Sequence, residues 1–80
     1  MTDEQARSNI ATNLRRAIDT QNVNISKMVK ETGVPQNTLY RMLRGENQPS
    51  VAHLATLCDY LQVSMDKIVA EPPELVEQTA

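Results

Sequence analysis

The sequence predicts an all-α fold, a compact bundle of five short helices, and three observations carry that expectation. Apolar residues recur at three- and four-residue steps along most of the chain, the period of a helix with one buried face. Two glycines and four prolines in 80 residues are too few for the many tight turns of an all-β domain. Side chains suited to capping a helix N-terminus (Thr2, Asn24, Ser50 and Ser64) stand at the head of four apolar runs.

The elements follow in order. Ala6, Ile10, Leu14, Ala17 and Ile18 give the first helix, over residues 3–21, its inner face, and Thr2 with Gln5 fits a capping box. Asn24 caps a second helix with Ile25, Met28 and Val29 facing inward, and Gly33 suits the left-handed position that ends it. Val34 can enter the core as the chain turns. Pro35 opens the third helix, where its missing N–H is harmless, and that helix runs to Arg44 and stops at Gly45. After a loop through Glu46 and Pro49, Ser50 caps a fourth helix with Val51, Leu54, Ala55, Leu57, Cys58 and Leu61 as its apolar stripe. Ser64 caps a short fifth helix containing Met65, Ile68 and Val69. Residues 1–70 are expected to form the domain, and Pro72-Pro73 to begin a flexible tail or linker over residues 71–80.

Composition narrows the function. A single cysteine, Cys58, excludes an intrachain disulfide and a cysteine-based zinc site. His53 lies five residues away on the same helix, about 140° around it, so the two do not converge as ligands or as nucleophile and base. Cys58 reads as a small core residue, His53 as a surface or edge residue, and Met28, Met42 and Met65 as core filler in a chain without Phe or Trp. No phosphate-binding glycine loop, catalytic carboxylate pair or triad is present, so no enzyme, cofactor or metal is expected. No apolar run approaches membrane-spanning length and the N-terminus is acidic and polar, which predicts a cytoplasmic protein with no membrane partner.

The net charge of −2 argues against simple attraction to a polyanion, but the charge is unevenly spread. Residues 1–45 carry seven of the eight Lys and Arg against four acids, whereas residues 46–80 carry one against six. An acidic average therefore coexists with a basic first half. Within that half, the third helix has a distinct polar side. At about 100° per residue, Gln36, Tyr40, Arg44, Asn37 and Arg41 fill an arc of about 140°, and Thr38, Leu39, Met42 and Leu43 occupy the rest. These side chains suit a nucleic acid: Gln and Asn can pair bidentately with adenine, and Arg with guanine. A solvated face is the plainer reading of the arc taken alone. Tyr40 suits either packing on a sugar or thymine methyl or covering its neighbours, and Lys27, Lys30, Arg15 and Arg16 read as solvent-facing charges.

Two short helices joined by a tight turn at Gly33-Val34-Pro35 form a helix-turn-helix pattern. Arg44-Gly45 is followed after three residues by Pro49-Ser50, and the bundle ends in LQVSMDKI. With these landmarks the stretch from Leu14 to Ile68, about two-thirds of the chain, resembles the lambda repressor and Cro family, the xenobiotic-response-element type of helix-turn-helix regulator.

The resemblance implies a lambda-repressor-like DNA-binding domain, bacterial or phage-encoded. It would act as a homodimeric repressor on a pseudo-palindromic double-stranded DNA operator, with the third helix in the major groove. By position, Gln36, Asn37 and Arg41 match base-reading residues, and Asn24, Arg44, Asn47 and Gln48 match residues that touch sugar-phosphate. A dimer surface is expected near Leu61, Val63, Met65 and Ile68, and the tail could join a further C-terminal domain in a longer parent protein. The other reading is a protein-interaction module, an antitoxin or adaptor on the same scaffold, which the acidic average and Ile25 favour slightly.

Three departures from the family pattern stand out. Ile25 replaces a Gln that braces the recognition helix, and Val29 and Thr32 replace a small and an apolar residue beside the turn. Ile18 and Leu43 stand where many members bury an Arg–Glu pair, an exchange of ions for apolar contact that is often neutral or stabilising. Leu43→Glu alone is then expected to destabilise the fold strongly.

Overall fold

The computed structural model describes residues 2–46 and 49–72. These form five helices and, among the described residues, no strand: α1 (Asp3–Thr20), α2 (Ile25–Thr32), α3 (Gln36–Leu43), α4 (Val51–Leu61) and α5 (Met65–Val69). Each cap expected from the sequence is present. Thr2 and Gln5 bond reciprocally in a capping box, and Asn24, Ser50 and Ser64 accept the backbone N–H groups of Lys27, His53 and Lys67. Pro35 is the exception, since it sits in the N-cap position of α3 and offers no side-chain bond.

The helices stop by backbone geometry. At the end of α3 the N–H groups of Gly45 and Glu46 bond to the carbonyls of Met42 and Arg41, a Schellman motif that requires the left-handed φ of +70° at Gly45. The same pair of bonds ends α1 through Asn22 and Val23, and α4 through Gln62 and Val63. There the left-handed residues are Asn22 and Gln62, side-chain-bearing residues in place of glycine. The turn between α2 and α3 is closed by Thr32, whose hydroxyl donates to the Met28 carbonyl and accepts from the Val34 N–H. The polar residue at a usually apolar position is thus a local turn device.

The core joins all five helices through Leu14, Met28, Leu39, Leu57, Leu61 and Ile68, with Val34 entering from the turn as expected. α1 packs on α3 and α5, α2 on α3 and α4, and α4 on α5. Ile25, Val29, Ile18 and Leu43 pack at its margin, half-buried. Cys58 is a buried core residue, and desolvation pushes its thiol pKa up. The stripe of α4 is narrower than expected, because Val51 and Ala55 are exposed while Leu54, Leu57, Cys58 and Leu61 are buried.

The longest-range polar contacts hold the two ends of the chain together. Asn9, buried on α1, donates to the Val69 carbonyl, and Asn13 one turn later donates to the carbonyls of Lys67, Ile68 and Ala70. The Lys67 carbonyl also accepts from the Ala70 N–H, and the amides supply donors to the Ile68 and Val69 carbonyls at the helix end. Pro72 is also buried. Residues 73–80 of the expected tail lie outside the described residues.

Candidate nucleic-acid interface

Helix α3 is amphipathic in the sense the sequence predicts. Leu39 and Met42 are buried and Thr38 and Leu43 half-buried, which fixes the rotation of the helix about its axis. Gln36, Asn37, Tyr40, Arg41 and Arg44 are consequently all exposed on one side, as a continuous polar strip. Tyr40 is 39 % exposed. The strip has hydrogen-bond donors and acceptors at its N-terminal end and two guanidinium groups towards its C-terminal end.

The flanks are built from caps and turns. Asn24, exposed at the start of α2, uses its side-chain oxygen on Lys27 N–H and so is held at that helix N-terminus. At the other flank the Schellman turn brings Glu46 beside the last cation of the strip, and its carboxylate accepts a hydrogen bond from Arg44 Nε in an exposed ion pair. Asn47 and Gln48, the other expected backbone contacts, lie outside the described residues.

The expected dimer patch needs correction. Leu61 and Ile68 are 0 % and 2 % exposed within the monomer's own core and have no surface to offer a second copy. Both belong to the core, on the helices α4 and α5 that pack on each other. Val63 and Met65 keep part of their surface and are what remains of that patch.

Glu46, Thr32, Asn9, Asn13 and Gln21 have polar roles that periodicity did not reveal. Gln21, at the end of α1, donates to the Leu61 carbonyl at 2.6 Å. For Asn9 and Asn13 a signal existed, two amides four residues apart beside the apolar stripe of one helix. Their partners, about sixty positions away, could not be read from spacing.

No helix of the described residues is long and apolar enough to cross a membrane. Among the same residues no group of three or more His, Cys, Asp or Glu side chains is placed to hold a metal ion. A half-open groove lies between α1 and α3, lined by Thr12, Arg15, Arg16, Ile18, Asp19 and Leu43. Ile18 and Leu43 both line it, together with two arginines.

A three-residue turn between two short helices, the second exposing a polar strip and burying its opposite face, defines a helix-turn-helix domain. The chain belongs to the family of Cro/C1-type HTH DNA-binding domains, whose model matches residues 13–74. No curated protein and no solved structure matched the chain. Membership makes DNA the partner of this domain and a DNA-binding regulator its class.

Proposed function

We propose that the domain is the sequence-reading part of a transcriptional repressor that lays α3 in the major groove of its operator. The observation that carries this reading is the exposed strip of Gln36, Asn37, Tyr40 and Arg41, held outward by the burial of Leu39 and Met42. Gln36, Asn37 and Arg41 read base edges, and Tyr40 packs against a sugar or a thymine methyl. Asn24 and Arg44 contact the phosphate backbone, together with the loop at Asn47 and Gln48, and set the register without reading sequence. On this reading two copies bind one face of the DNA, with their recognition helices about 34 Å apart. Val63 and Met65 supply the exposed part of the contact between them.

The acidic second half of the chain lowers attraction to the backbone, so discrimination rests on the base-reading side chains and on dimerisation. Selection of bound sequences from random duplex DNA, with Arg41→Ala in parallel, tests the proposal. The expected outcome is an enriched two-fold symmetric site, with preference lost at one symmetric pair of positions in the variant. Absence of any enrichment by the unaltered protein at low salt would overturn it in favour of a protein-interaction module.

A further inference from the structure

We propose that Glu46 is an intramolecular competitor for the DNA phosphate on Arg44, and so sets the affinity of the domain. The inference rests on the DNA-reading proposal above and adds a residue to which that proposal gives no role. Three observations support it. Arg41 and Arg44 are the two cations of the strip, and Arg44 is the one at its C-terminal end, in the C-cap position of α3. The Glu46 carboxylate takes the hydrogen bond of Arg44 Nε, although both side chains are half or more exposed to solvent. The pairing is also built into the backbone. Gly45 at φ +70° and the bond from Glu46 N–H to the Arg41 carbonyl turn the chain back over the end of α3, which places residue 46 beside the strip.

The chemistry follows from charge. A guanidinium donates equally well to a carboxylate and to a phosphate oxygen. A phosphate that engages Arg44 must therefore displace Glu46 or share the donor with it, and the displaced carboxylate is left close to a polyanion. Both effects weaken binding without touching a base. Neutralising residue 46 leaves the guanidinium to the phosphate alone.

The test is a double-mutant cycle in a DNA-binding titration, using the selected duplex and a scrambled duplex at several salt concentrations. Glu46→Gln should bind both duplexes about two- to five-fold more tightly, the equilibrium equivalent of an exposed ion pair. It should also steepen the salt dependence by about one phosphate contact. In an Arg44→Ala background the same change should tighten binding much less, because only the repulsion between the carboxylate and the phosphates remains to be relieved. Equal tightening in both backgrounds would overturn the inference, because Glu46 would then act as a distant charge and not through Arg44. No tightening in either background would overturn it as well. Both of those results leave the DNA-reading proposal standing, whereas failure of the unaltered protein to bind any duplex removes both. Thermal unfolding of each variant verifies folding, which substitution of exposed side chains should leave nearly unchanged.

Discussion

Asn13 on α1 donates its side-chain amide to the Ile68 carbonyl at 2.8 Å, tying the middle of the first helix to the last one. The same nitrogen lies 2.8 Å from the Ala70 carbonyl, and Asn9 repeats the device on Val69. Side chains of α1 thus hold the carbonyls at the end of the short α5.

Removing that amide has a defined cost. Asn13→Ala should lower unfolding free energy by about 1–2 kcal/mol, because carbonyls in a partly dry site lose their donor. Asn13→Asp should cost more, since it places a carboxylate among the same carbonyls. Urea midpoints order the three proteins, and an Asp variant as stable as the parent would refute the assignment.

The groove between α1 and α3 tempers the expectation for Leu43→Glu. Leu43 and Ile18 are half-buried, and Arg15 and Arg16 line the same groove, so a carboxylate there is partly hydrated and near cations. The single change should cost about 1–2 kcal/mol and not unfold the domain. Ile18→Arg with Leu43→Glu should recover most of that loss, as Tm comparison of the single and double variants will show.

Gln62 ends α4 with a left-handed φ of +59°, a conformation that costs a side-chain-bearing residue about 1 kcal/mol relative to glycine. Its amide recovers part of this by donating to the Asp59 carbonyl. Gln62→Gly should therefore stabilise the domain by about 0.5 kcal/mol, within the range left after losing that bond. A lower denaturant midpoint would show that the bond outweighs the strain.

The Glu31 carboxylate on α2 faces the Tyr60 phenol on α4, and hydrogen bonding to it, then desolvation and its charge, raise the phenol pKa above the usual 10.0. The folded state therefore holds the phenol proton more tightly than the unfolded state does. This contribution is complete below pH 10.0 and is lost as pH rises through the folded pKa. The buried Cys58 thiol acts with the same sign, starting from 9.0. Stability should fall on the alkaline side, and Tyr60→Phe should flatten the fall above pH 10 while leaving the thiol's share. Chemical denaturation across that range measures both.

On the proposed DNA-reading role, loss of base-reading and of backbone groups should separate in DNA titrations. Gln36→Ala and Arg41→Ala should each cost about 1–3 kcal/mol on the selected site and little on scrambled DNA. Arg44→Ala should weaken binding to both and reduce the salt slope by about one contact. Equal losses on both duplexes for Arg41→Ala would remove it from the base-reading set.

Local chemistry was legible in the chain before any folding. Caps at Thr2, Asn24, Ser50 and Ser64, the stop at Gly45 and the polar side of α3 depend on residues at most a few positions apart. Hydrogen-bond reach and the 3.6-residue period constrain these directly. The outward strip of Gln36, Asn37, Tyr40, Arg41 and Arg44 belongs to this class, because burial of Leu39 and Met42 leaves it no other direction. Tertiary structure decided what spacing could not encode. It buried Leu61 and Ile68 inside the monomer while exposing Val51, since which apolar residues are covered depends on how all five helices meet. It brought Asn9 and Asn13 to the end of α5, pairings across more than fifty residues that only chain closure creates.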